Sequence, residues 1–299
     1  MANNIGFGKI YDSTWWGNGV TDNSISWGII YKDLAGSDDF IITVKTDNAG
    51  TSASDQFTIP TTGTGFLYDI TTSDGYTATG VTGNHTITFP SGAGTHTVTI
   101  SGAFPQCYFN NGGDKAKLMT IENFGIYALG STSQYVAFYG CSNLVISATD
   151  IGYFENVTSF SNAWRDCNSL TSFPLLDVSS GTNFDRTWRD CSSLTSFPLL
   201  DTISGTNFAL AWFGCSSLTS FPANAFDTNI ASNYTNAFTT TNLTTQSIDD
   251  ILVSLDTSGI INGTFTQSGG QAPSATGEAA IDSLVGKGWT ITVTGGYTP

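Results

Sequence analysis

Basic side chains are scarce. Nine Lys and Arg stand against 24 Asp and Glu, with two His, for a net charge of −15 over 299 residues. A surface of that sign repels a phosphate backbone, which argues against nucleic acid as a partner. An anionic bilayer repels it as well. Charge of either sign is thin, at 11% of residues, about half the usual share. No run of about 18 apolar residues exists, so no membrane insertion is expected. The stretch from Met1 to Gly19 has neither the basic nor the apolar segment of a secretory signal, so export by that route is not expected.

The chemistry of most enzymes is missing too. No Cys pair has the spacing of a zinc site, and the two His are not clustered with it. Neither G-x-S-x-G nor H-E-x-x-H occurs. Gly92–Gly94 and Gly269-Gly270 do not lead from a strand into a helix, so no phosphate cradle is expected. The chain reads as a non-enzyme without cofactor or metal.

What fills the gap is Thr, Ser, Gly and Asn, a composition suited to strands and tight turns. The first 35 residues contain a duplication: Asn3 to Tyr11 recurs as Asn23 to Tyr31, with Trp15-Trp16 between. Phe7, Trp15, Trp16 and Trp27 are expected either to fold onto the next domain or to form a docking arm against another subunit, since aromatics dominate interface cores. Residues 36–104 read as a small β domain. Strands are expected at Phe40–Val44, Asp55–Pro60, Phe66–Ile70, Thr86–Phe89 and Thr95–Ile100, the last alternating with period two. Residues 105–130 are a connector and N-terminal cap.

From about residue 131 to 245 the period changes. Cys141, Cys167, Cys191 and Cys215 are spaced by 26, 24 and 24, and residues 167–190 and 191–214 match at 16 of 24 positions. Phe184, Trp188 and Cys191 have the i, i+4, i+7 spacing of one helix face. Thr182 or Asn183 would cap that helix, and Pro198 would stop any helix after Leu194 and Phe197. Each repeat is therefore expected to be a short helix plus an extended segment. One such unit cannot bury both faces alone, but stacked units can. Phe160, Phe184 and Phe208 would form one internal ladder, Trp164, Trp188 and Trp212 a second, and Leu170, Leu194 and Leu218 a third. Residues 246–299 read as a C-terminal cap, with helices at Ser247–Leu255 (capped by Ser247) and Glu278–Val285. A Gly/Ser-rich stretch from Gly263 to Gly277 and a strand at Trp289–Val293 complete it.

Two resemblances follow. The repeat, in the form W/F-x-x-C-S-S-L-T-S-F-P, resembles the BspA-like leucine-rich repeats over residues 130–245, with Trp at the usual Phe position and only about four units. The ending A-x-x-x-L-x-x-K-G-W-T-I-T-V is similar to the closing segment of phage proteins of that kind. The β domain resembles degenerate PKD-type or Ig-like modules. It keeps their Asp-Gly at Asp74-Gly75 but has Thr72-Ser73 where they have Gly-Asp. Together these imply a β-rich, multidomain protein: an aromatic arm, an Ig/PKD-like sandwich, and a short α/β leucine-rich-repeat-type solenoid with a C-terminal cap. The implied role is adhesion or structure on a phage virion, as a tail-fibre, receptor-binding or capsid-decorating component. Its partners would be other virion proteins through the arm, a host glycan or protein, and further copies of itself. A bacterial cell-surface adhesin is the alternative, and a polysaccharide depolymerase a more distant one.

Candidate site residues are few. The ladder cysteines read as small buried thiols in a narrow slot, with disulfides between neighbours as the alternative; Cys107, off the ladder, reads as buried. His85 and His96 read as exposed strand residues. Asp177, Asp201 and Asp227 recur at one place in the repeat. They either cap the following turn or form a ligand-facing stripe for Ca²⁺ or a cationic sugar. Arg165-Asp166 and Arg189-Asp190 read as a solvated stripe. The N-x-T sequons (Asn84, Asn156, Asn233, Asn242, Asn262) read as chance in a Thr-rich chain.

Overall fold

The structure, a computed structural model, describes residues 38–299. The arm aromatics Phe7, Trp15, Trp16 and Trp27 lie outside the described residues. Ser37–Pro299 forms one compact unit. It is β-rich, with eleven strands in several sheets and two α-helices among the described residues, and no closed barrel.

Alternation of apolar and polar side chains sets the N-terminal strands: β1 (Phe40–Lys45), β2 (Gln56–Ile59), β3 (Leu67–Thr72), β4 (Thr77–Val81), β5 (His85–Thr88) and β6 (Thr95–Ala103). In β1 the residues Phe40, Ile42 and Val44 turn inward, and in β6 His96, Val98 and Ile100 do. Strands β1, β3, β4 and β6 join β7 (Leu118–Asn123) and β8 (Val145–Ile146) in a sheet of order β4-β3-β6-β1-β7-β8, while β2 and β5 pair separately. Phe57 and Ile59 of that pair meet Phe40, Ile42 and Ile100 of the larger sheet, leaving a void of only about 10 Å³.

Strand β7 is the hinge of the design. It runs antiparallel to β1 (Ile42 opposite Ile121) but parallel to β8 (Thr120 opposite Val145). The boundaries expected at residues 104 and 130 therefore run through one continuous sheet, and buried residues from Phe40 to Val293 form a single core cluster.

Beyond β8 the repeats stack as parallel rungs, and here the structure corrects the expected helices. The Phe184–Cys191 segment is a chain of tight turns, not a helix. The amides of Phe184, Arg186, Trp188 and Asp190 donate to the carbonyls of Asn207, Ala209, Ala211 and Phe213 in the next rung, at 2.7 to 2.9 Å. The amides of Thr187 and Cys191 close i→i−3 turns onto Phe184 and Trp188. Alternate N–H groups thus point along the stack and are unavailable for helical i→i−4 bonds. Arg186 and Asp190 take left-handed backbone (φ 56° and 60°), as Asn162 and Asp166 do one rung earlier. A four-residue turn repeat brings Phe184, Trp188 and Cys191 inward with the same spacing a helix would.

The stack ends on β9 (Asn233–Thr239), which pairs in parallel with β10 (Thr264–Ser268), itself parallel to β11 (Thr290–Thr292). Helices α1 (Thr245–Thr257) and α2 (Ala275–Gly286) are the crossovers. Helix α1 buries Ile248, Ile251, Leu252 and Leu255, one helical face. Its N-cap is Thr244, which accepts from the Ser247 amide, not Ser247 as expected. Helix α2 starts three residues before the expected Glu278, capped by Ser274. Gly263 is needed ahead of β10, because a Cβ there would lie 2.5 Å from the Trp289 ring.

Candidate functional surface

Interior columns hold the rungs in register. Phe160, Phe184, Phe208 and Tyr234 stack with ring centroids 5.4, 4.9 and 5.2 Å apart. Trp164, Trp188, Trp212 and Phe238 stack at 6.3, 5.2 and 4.9 Å. Leu170, Leu194 and Leu218 are fully buried beside them. Phe173, Phe197 and Phe221 pack edge-to-face across the Trp column. The indole N–H groups of Trp164, Trp188 and Trp212 are buried without an acceptor among the described residues.

The cysteine ladder fills a narrow slot. All five cysteines are free and buried. The thiols of Cys167, Cys191 and Cys215 donate to the carbonyls of Phe138, Trp164 and Trp188, one rung back. Burial pushes the thiols of Cys107, Cys141, Cys167, Cys191 and Cys215 well above the ordinary range. Thiolate chemistry at neutral pH is thereby suppressed.

Polar ladders edge the rungs. The Asn207 amide donates to Asn183 (3.4 Å) and Asn233 donates to Asn207 (2.9 Å), while each oxygen also accepts a backbone N–H two residues on. The exposed Thr182, Thr206, Thr195 and Thr219 hydroxyls donate to carbonyls one rung back. Ile151, Leu175 and Leu199, one per rung, are 54, 62 and 54% exposed. Exposed Thr hydroxyls and exposed aliphatic side chains thus recur from rung to rung.

The acidic candidates do not act as one stripe. Asp177 accepts from the Ser179 amide and hydroxyl, and Asp201 from the Ile203 amide, each closing its own turn while remaining exposed. Asp227 instead accepts from Ser254 of α1 at 2.6 Å. Arg165 and Arg189 lie over the rings of Tyr139 and Phe213, at 4.7 and 4.9 Å from the centroids. Each also faces its neighbouring aspartate, Asp166 at 3.9 Å and Asp190 at 3.0 Å. Burial raises the Asp166 carboxyl, against the pull of Arg165.

His96 is not exposed as expected. It shares the inward phase of Val98 and Ile100, stacks on Phe89 at 4.0 Å and places Nε2 3.0 Å from the Gly92 carbonyl. His85 is half-buried and bonds Tyr76 at 2.6 Å; burial lowers its pKa. Asp74, of the Asp-Gly pair, accepts from Thr72 and from the amide and hydroxyl of Ser91. Burial works to raise that carboxyl, but these bonds outweigh it and bring it to about 2.

One feature escaped sequence reasoning: a buried latch at the seam between sheets and rungs. Lys117, 1% exposed, donates to the carbonyls of Ser52, Ala53 and Gln56 and to the Ser52 hydroxyl, at 2.8 to 3.1 Å. Asp114, also 1% exposed, accepts from the amides of Thr51, Ser52 and Thr58, with Lys117 Nζ 4.0 Å away. Burial opposes the charged carboxylate, but the Ser52 and Thr58 bonds and the ammonium outweigh it and hold Asp114 below the usual range. The available signal was a lysine pair in a chain nearly without bases.

No group of three or more potential metal ligands occurs among the described residues, and no helix there is long and apolar enough to cross a membrane. No protein-family model matches the chain, nor does any curated protein or solved structure.

Proposed function

We propose that this protein is a non-enzymatic, multi-copy surface component of a phage virion, in the role of a tail-fibre, receptor-binding or capsid-decorating protein. In this reading the rungs are a leucine-rich-type solenoid and the N-terminal sheets an Ig-like sandwich. Residues 1–35 dock onto the particle, and the rest faces the host. The observation that carries it is the rung stack itself. Side chains 24 residues apart are fixed in columns by backbone bonds and ring stacks, and exposed Thr and Leu side chains recur at the same interval. Such a face suits weak contacts repeated over many copies, whose avidity exceeds any single affinity. The likeness of the repeat to BspA-like sequences and the net charge of −15, which favours solubility at high local density, support the same reading.

The test is competition and fractionation. Purified full-length protein should block adsorption of the particles that carry it. A chain lacking residues 1–35 should keep its rungs but fail to join particles. Recovery with cell envelopes and never with particles would replace this reading with the bacterial adhesin.

A further inference from the structure

A cleft of about 300 Å³ opens at the seam between the sheets and the first rung. One wall is Thr51, Thr58 and Asn84; the other is the Tyr108–Asp114 segment that carries the chain into the rungs. Both walls are anchored. The Tyr108 amide donates to Pro60, and those of Phe109, Asn110 and Asn111 donate to Ala137, Val136 and Tyr139. The buried Asp114–Lys117 latch clamps the Thr51–Thr58 side. Asn110 and Asn111 are both left-handed, at φ 44° and 57°.

The lining has unspent hydrogen-bonding capacity. The Tyr108 hydroxyl and the Asn110 side-chain amide have no hydrogen-bond partner among the described residues. Asn84 Oδ1 accepts from the amide and hydroxyl of Thr61, at 2.6 and 2.9 Å, which leaves its NH₂ free to donate. The charge, by contrast, is fully spent. Asp114, the one ionisable acid in the lining, already accepts three backbone amides and faces Lys117. Pro60 and the half-buried Tyr108 are the apolar-bodied residues of the lining, with Phe109 packed into the core behind them.

A half-exposed aromatic ring, uncharged amides, hydroxyls and no free charge select a ligand with an apolar C–H face and neutral hydroxyl edges. We propose that this cleft binds a neutral sugar residue, stacked on Tyr108 and held at its hydroxyls by Asn84 and Asn110. This names a ligand for the adhesion reading, on which it rests, and places recognition at the seam rather than on the rung face. A phosphorylated or acidic sugar would meet no cation there, because Lys117 is enclosed by its four acceptors. Hydrolysis is not part of the proposal, since the lining lacks a second carboxylate for a glycosidase pair.

Saturation-transfer NMR on the full-length protein tests it, with glucose, galactose, N-acetylglucosamine and their neutral disaccharides as probes. Transfer to sugar ring protons is expected. Tyr108→Ala should weaken binding about two- to tenfold, one stacking contact's worth. Thr51→Arg, which fills the cleft from an exposed position and keeps the backbone bonds, should do the same without moving the urea midpoint. Absence of transfer with every neutral probe, or undiminished binding by Thr51→Arg, overturns the assignment. If the protein still blocks particle adsorption in either case, the adhesion reading survives and only the cleft is lost.

Discussion

Trp188 lies at the centre of the rung stack, and truncating it separates two opposed effects. The side chain is fully buried, stacks between Trp164 and Trp212, and meets Phe173 and Phe197 edge-to-face. Trp188→Ala removes these four ring contacts and the stack on Phe184 at 6.0 Å, and leaves a cavity that rungs bonded on both sides cannot close. The expected cost is about 3–5 kcal/mol. Trp188→Phe is different, because the indole N–H has no acceptor. Removing a buried, unpaired donor recovers about 1–3 kcal/mol of desolvation. The smaller ring loses packing of similar size, since ring pairs are worth about 0.5–1.5 kcal/mol beyond burial. The net change should be within about 1 kcal/mol of zero. Urea unfolding followed by far-UV circular dichroism reads both variants, compared by midpoint at constant slope. A Trp188→Phe midpoint as low as that of Trp188→Ala would mean instead that the indole N–H makes a bond worth keeping.

Three further outcomes follow from the geometry. Asp114→Ala should cost about 3–5 kcal/mol, since it strands three amides and the Lys117 ammonium in a buried site; a loss under 1 kcal/mol in urea would contradict the latch. With its pKa depressed on folding, Asp114 contributes stability above the ordinary carboxylate range, and that contribution falls away as pH drops through its lower folded value. Asp114→Asn should flatten this acid limb of a stability–pH profile, and an unchanged limb counts against the assignment. Thiol titration with a disulfide reagent should detect none of the five cysteines in the folded protein and all five in denaturant; prompt native reaction would show that the slot is open.

Much of the fold was legible because period two is unambiguous where one face is buried. Strands β1, β2, β3, β5 and β6 fall where Phe40, Ile42, Phe57, Tyr68, Ile87 and Val98 predicted them. The strand β4 was not legible: Thr-Ala-Thr-Gly-Val is small and half-polar throughout, with no residue fully buried. Strand β10 hid between Gly263 and Gly269, with Phe265 as its lone large apolar residue. The repeat was read with the right inward residues but the wrong backbone. Turns of four residues and helical turns of 3.6 place Phe184, Trp188 and Cys191 alike. Asn162 and Asp166, four residues apart and of types that tolerate left-handed backbone, carried the discriminating signal. The candidate site was harder, because the latch and the cleft join residues more than fifty positions apart through a sheet no local pattern encodes.

Imaging of intact particles decides whether the chain is a virion component. It should show symmetric copies of the chain on the particle surface, with residues 38–299 projecting as one body into which sheets and rungs fit together. Purified particles that lack the chain, with all of it left free in the lysate, would contradict it.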